Sequence, residues 1–167
     1  MAVETPPTNV SNEELVRWTF DRINERDVEA LKQVWTEATV ERFPDRTCHG
    51  ATEIASYFTG VFAAIPDWHM EIMGIAAQND DVFVHWHLSG THSGSLFGIE
   101  ATGKRVEADG MDHFVLREGK VVSNFVVFDQ MQFARGIGML PADGSAPDRA
   151  MKAAFNARTK LLDRLHR

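Results

Sequence analysis

A single cysteine, Cys48, stands in 167 residues, so the chain has no internal disulfide and no CxxC or zinc-ligand spacing. That usage suits a reducing compartment, and Cys48 reads as a small loop or core residue. Basic residues are scarce outside the C-terminal stretch. Arg149 to Arg167 holds six against one acid, which leaves 11 basic and 23 acidic residues elsewhere, within a net charge of −7. An acidic body disfavours nucleic acid and anionic membrane as partners, because phosphate binding requires a basic footprint. No apolar run approaches the about 20 residues that span a bilayer. The opening MAVETPPTNV has two prolines and an acid where a secretory leader needs a basic and then an apolar run, so the expected location is the cytoplasm. Internal repeats are absent as well.

What is present fits one domain, with 44% hydrophobic residues and a length that buries about two-thirds of the unfolded surface. Residues 1–10 read as a flexible arm. Ser11-Asn12-Glu13-Glu14 forms a capping box, and a helix to about Asn24 follows with Leu15, Trp18, Thr19, Arg22 and Ile23 at helical spacing. Asp27 caps a second helix carrying Leu31, Val34 and Trp35. A short strand, Thr39 to Phe43, precedes a third helix, Thr52 to Ala64, whose stripe includes Tyr57 and Phe58. Strands at Trp68 to Ala77 and Val82 to His92 follow, separated by the turn Gln78-Asn79-Asp80-Asp81. Three helices and then a strand meander predict an α+β fold: a curved antiparallel sheet wrapped around N-terminal helices, enclosing a pocket.

The stretch from Arg105 to Asp129 reads as a long hairpin turning at Arg117-Glu118-Gly119-Lys120. Alternation puts Val106, Ala108, Gly110, Asp112, Phe114 and Leu116 on one face of the first arm, apolar except for Asp112. The second arm presents Val122, Asn124, Val126 and Phe128, with Asn124 roughly opposite Asp112. Two readings stand for Asp112. Inside an apolar wall its carboxyl is costly to ionise, its pKa rises, and it serves as an acid or hydrogen-bond donor near neutrality. At the sheet margin it is only solvated, or paired with Arg117.

The pieces Ile65-Pro66-Asp67-Trp68, Gly90-Thr91-His92-Ser93-Gly94, Thr102-Gly103-Lys104-Arg105, Gly110-Met111-Asp112, Glu118-Gly119-Lys120-Val121 and Asp129-Gln130 occur in this order. Together, over about residues 10–140, they resemble the SnoaL-like polyketide cyclase family of the nuclear transport factor 2-like superfamily. The resemblance implies a cone-shaped, cystatin-like α+β fold. The segment Asp112-His113-Phe114 also looks like the ketosteroid isomerase stretch that carries an oxyanion-hole aspartate, and the pKa behaviour of that aspartate is an established case rather than a deduction from this chain. Tyr57, the only tyrosine, is the one candidate for the isomerase's tyrosine donor, and no single residue matches its base.

For a cyclase the resemblance implies cofactor-free acid-base chemistry by an acidic residue aided by a histidine, for which His92 is the natural choice. The expected catalytic set is Asp112, His92 and Asn124. Trp86, Phe114, Val126, Phe128, Tyr57 and Asp129 are expected to bind substrate, and neither cofactor nor metal is expected. Pairing His92 near Val106 and Trp86 near Asp112 leaves the histidine and the acid about 20 Å apart unless the strand bulges or curves strongly. Asp129 and Gln130 are alternative polar partners for His92, with Asp129 also placed to cap a helix. His85 and His87, with His69 on a neighbouring strand, form a weak metal pattern lacking a spaced carboxylate.

Ser93 to Lys104 is long for a hairpin connection, and Leu96, Phe97 and Ile99 are either a lid or a plug. Residues 141–167 form a linker and an amphipathic helix, Asp148 to Leu165, carrying Met151, Ala154, Phe155 and Leu162, which is expected to add contacts to a homodimer. The expected ligand is a small hydrophobic carbonyl compound. The alternative is a non-catalytic ligand-binding or dimeric assembly module of the same fold.

Overall fold

The computed structural model describes residues 3–165; the outermost parts of the expected arm, 1–2, and of the expected tail, 166–167, lie outside the described residues. Ser11 opens α1 (Asn12–Glu25) through a reciprocal box, its hydroxyl accepting from the Glu14 N–H while the Glu14 carboxylate accepts from the Ser11 N–H. Arg26, at φ 59°, ends that helix in the left-handed conformation. Asp27 caps α2 (Val28–Leu31), which is shorter than the apolar spacing implies. Val34 and Trp35 are still buried, but from the turn that follows it.

The next strand, β1 (Val40–Arg42), pairs with β2 (Thr47–His49), a three-residue strand too short to show alternation in the sequence. Helix α3 (Gly50–Ala64) starts two residues before the expected Thr52. Four longer strands complete the sheet: β3 (His69–Gln78), β4 (Asp81–Thr91), β5 (Arg105–Arg117) and β6 (Lys120–Phe128). The order is β2-β1-β6-β5-β4-β3, a curved open sheet with helices packed on its inner face. Its pairs are antiparallel except β1 with β6, which run parallel. A hairpin forces neighbours to be antiparallel, whereas β1 reaches β6 from a distant part of the chain and is free of that constraint.

The hairpin of β5 and β6 contains a bulge. Val115 faces Ser123 but Leu116 faces Val121, so Val122 is the extra residue. The inward position therefore belongs to Val121, 1% exposed, and the expected inward Val122 is turned out at 38%. Asp129 caps α4 (Gln130–Gly136), which packs on β5. The final helix, α5 (Ala146–Leu165), begins two residues before the expected Asp148 and is exposed along its length except at Asp148, which binds Lys152. No helix among the described residues is long and apolar enough to cross a membrane.

The core lies between the inner sheet face and the helices, joining Phe20 and Ile23 of α1, Ile54, Phe58 and Phe62 of α3, and Val82, Val84 and Trp86 of β4. Each such side chain contributes about 1.5–3 kcal/mol by leaving water. Into this apolar layer the fold also inserts two carboxyl groups.

Candidate functional site

Alternation along β5 does turn Val106, Ala108, Gly110, Asp112, Phe114 and Leu116 inward, and Asp112 is 5% exposed. The ladder runs two residues away from the expected register: Asp112 faces Val84 rather than Trp86, and Trp86 faces Gly110. Trp86 nevertheless reaches the acid, its indole Nε1–H donating to Asp112 Oδ1 at 3.1 Å. Gly110 makes this possible. A methyl group at that position would lie 2.2 Å from the indole ring, so only a residue without a side chain lets the ring lie across β5.

Asn124 stands opposite Phe114, not Asp112, whose direct partner on β6 is Val126. The bulge moves Asn124 one position along, from opposite His113 to opposite the inward Phe114, where it is a diagonal neighbour whose amide hydrogen-bonds the Asp112 carboxyl. On its other side Asn124 faces Glu41 across the parallel pair and hydrogen-bonds that carboxyl as well. Glu41 is 2% exposed and is also bound by Trp35. Burial pushes the Asp112 carboxyl up to about 7, against hydrogen bonds from Trp86 and Asn124 that pull it down. Burial and the neighbouring Asp112 charge push Glu41 up to about 8, against Trp35 and Asn124. The Asn124 Oδ1 is buried without a donor.

Asp112 forms part of the wall of a narrow apolar cavity of about 60 Å³, shared with Trp86, Val126, Phe128, Tyr57, Met70 and Phe133 among others. That volume holds a few waters, at about 10–15 Å³ each. Phe43 and Tyr57 stack at 3.9 Å between ring centres, and Tyr57 and Phe97 at 6.5 Å. Tyr57, Val61, Leu96 and Phe97 separate the cavity from an outer cleft of about 450 Å³ beside Arg46 and Ser56. Leu96 is buried at 7%, and Phe97 adopts φ 53°, so the long connection between β4 and β5 both packs on the body and roofs the cavity.

Phe114, Asp129 and His92 lie outside this cavity, and Tyr57 lines it without turning its hydroxyl to Asp112. Phe114 points to α1 and meets Phe20 edge-on at 6.4 Å, because α1 covers the sheet at that level. The Tyr57 hydroxyl donates to Asp45 at 3.2 Å, away from Asp112, and burial together with the Asp45 charge holds it protonated. Asp129 accepts from the Gln132 N–H at 2.9 Å as the cap of α4, and borders a cleft on the outer side with His85 and Asp109. His92 is fully buried, with Nδ1 3.1 Å from the Thr102 hydroxyl and Nε2 without a partner. It follows the end of β4, eight positions beyond Val84, the residue facing Asp112, and does not line the cavity that holds Asp112. His92 and Asp112 therefore do not share a site.

On the outer face His87 pairs with Asp109 at 2.9 Å and His113 with Asp81 at 2.6 Å. Among the described residues no group of three or more His, Cys, Asp or Glu is placed to hold a metal. Sequence reasoning missed Glu41 and Trp35. A three-residue strand carries too little alternation to reveal which residue faces in, and the remaining clue was that a buried Asn124 needs partners on both sides.

The SnoaL-like polyketide cyclase family model matches residues 13–137. No curated protein is significantly similar to the chain in sequence. Among solved structures, AclR from Streptomyces galilaeus, a proposed hydroxylase, is 24% identical with TM-score 0.66, over 74% of this chain and 92% of that one. A SnoaL-like protein from Jannaschia sp. CCS1 is 18% identical with TM-score 0.71, over 81% and 100%. IdmH from Streptomyces antibioticus, a proposed polyketide cyclase, is 18% identical with TM-score 0.62, over 74% and 95%. At these identities the likeness shows the fold.

Proposed function

The chain belongs to the SnoaL-like polyketide cyclase family, and from that premise we propose that it is a cofactor-free acid-base enzyme of the cyclase or isomerase type, acting on a small hydrophobic carbonyl compound. The observation that carries this reading is the Asp112 carboxyl, buried in the wall of an apolar cavity and raised to about 7. A carboxyl in that range has both forms available at neutrality, as general acid-base catalysis requires. Ionised Asp112 takes a proton from the carbon next to a carbonyl, and the C–H electron pair moves onto the carbonyl oxygen as an enolate. The enolate carbon then attacks a second carbonyl of the same molecule, leaving an alkoxide that is protonated, or an enolate conjugated with a C=C bond is protonated at the far carbon of that bond. Asp112 returns its proton in either case. Trp86, Val126 and Phe128 form an apolar wall that excludes water from the enolate. The cavity is smaller than the about 300–1,000 Å³ of typical ligand sites, so Tyr57 and Phe97 must part to admit a ring system.

The second reading, a non-catalytic ligand-binding module, draws on the separation of His92 from Asp112, which leaves no acid–histidine dyad. A thermal-shift screen of wild type and Asp112→Asn against polyketides, steroids and related carbonyl compounds across about pH 5 to 8 separates the two, because stabilisation follows affinity without an assay for the reaction. The enzyme reading expects a ligand whose stabilisation depends on pH in wild type and not in the variant. Identical responses from both proteins favour the binding module.

A further inference from the structure

We infer that Glu41 is a positioning residue for Asp112: the two carboxyls, joined through the Asn124 amide, hold one proton between them. The part played in catalysis rests on Asp112 being the reacting group, but the shared proton does not.

Glu41 has no place in the cavity wall, so it acts on a substrate only through Asp112. It occupies the inward position of β1, flanked by Cys48 on β2 and Asn124 on β6. The titratable groups turned toward this region are few. Burial holds the Cys48 thiol neutral, and Tyr57 on α3 directs its hydroxyl to Asp45. The inward residues of β4 are Val82, Val84, Trp86 and Leu88, and Arg22 of α1 is engaged by Glu4 and Glu25. Two ionised carboxyls would thus lie on either side of Asn124 in the interior without a counterion, the arrangement in which like charges cannot both form readily.

Hydrogen-bond valence leads to the same count. An amide has one donating and one accepting end. Asn124 Nδ2 suits an ionised carboxyl, while Oδ1, now buried without a donor, suits a protonated one. One proton on the pair satisfies both ends, with the amide turned to match. The outer ends are alike, since Trp86 donates to Asp112 and Trp35 to Glu41. With similar surroundings on each side, the proton resides on either acid, and Asp112 is available as acid or as base without exchange with solvent.

The test is a pH titration of the carboxyl carbons by ¹³C NMR in wild type, Glu41→Gln, Asp112→Asn and Asn124→Leu. In wild type both carboxyls should titrate above the ordinary acid range, each curve showing the same two inflections. Glu41→Gln should strip the upper inflection from Asp112, and Asp112→Asn should lower the Glu41 transition. Asn124→Leu retains both acids and should reduce the coupling, which keeps the proposal testable if Glu41→Gln does not fold. An Asp112 curve unchanged by Glu41→Gln, or a Glu41 that titrates as an ordinary glutamate, overturns the proposal. Coupled curves in a protein that turns over nothing would uphold the shared proton and overturn the enzymatic reading.

Discussion

Asp109 and Asp112 lie on the same strand and meet opposite surroundings. Asp109 is on the outer face, where His87 Nδ1 lies 2.9 Å away and the hydrogen bond holds its carboxyl below the ordinary range. Asp112, an odd number of residues along, is turned inward by alternation, and burial drives its carboxyl the other way, to about 7. One residue type on one strand gives a solvated anion on one face and a buried carboxyl with a raised pKa on the other. The face decides, because desolvation acts only where helices cover the sheet.

The largest way to break this contrast is to remove the inner acid's proton. Asp112→Asn should lower kcat/KM by about 10²–10⁴-fold on whichever carbonyl substrate the screen identifies, the usual reach of one acid-base group. Steady-state kinetics on the folded variant measure it. Next comes pH. An unfolded aspartate ionises near 3.8 and folded Asp112 near 7. Below about pH 4 both states hold the proton and the folded state loses nothing. As pH rises toward 7 the unfolded chain releases its proton first, so stability falls, by about 4 kcal/mol for this group alone, and then levels off. Glu41 extends the fall to about 8. Urea unfolding across about pH 4 to 8 should show this decline in wild type and a shallower one in Asp112→Asn.

A smaller effect is expected from Gly110→Ala, which drives a methyl group into the Trp86 ring. It should cost about 1–3 kcal/mol in unfolding free energy. It should also raise Asp112 further by removing a hydrogen bond that now lowers it, with the indole N–H resonance reporting the displaced ring. The smallest belongs to the outer face. Asp109→Asn breaks an exposed pair and should change stability by no more than about 0.5 kcal/mol and leave turnover unchanged. A large loss there would mean that the outer face is not the inert half of the comparison.

Much of the fold was legible because its signals are local. The Ser11–Glu14 capping box, the apolar stripe of α3 and the period-two run through Asp112 each follow from residues close in sequence. The site was legible only in part. Asp112, Trp86, Val126 and Phe128 follow from alternation, and all four line the cavity. Phe114 shares that pattern but is covered by α1, and Asp129, expected either beside His92 or as a helix cap, caps α4. Alternation assigns a residue to a face without saying which helix covers it at that height.

Residues close in sequence were enough to place the capped starts of α1, α2 and α4, the inward face of β5 and an acid on that face, because capping and alternation act over a few residues. Tertiary structure alone decided the rest. The bulge at Val122 set the register of β6, β1 came to lie parallel beside it, and Glu41 was thereby brought behind Asn124. Loop length and chain connectivity bring those strands together, and no local pattern in a three-residue strand records them. Whether Asp112 was a lone buried acid or one of a pair was settled only when residues far apart in the chain met across the sheet.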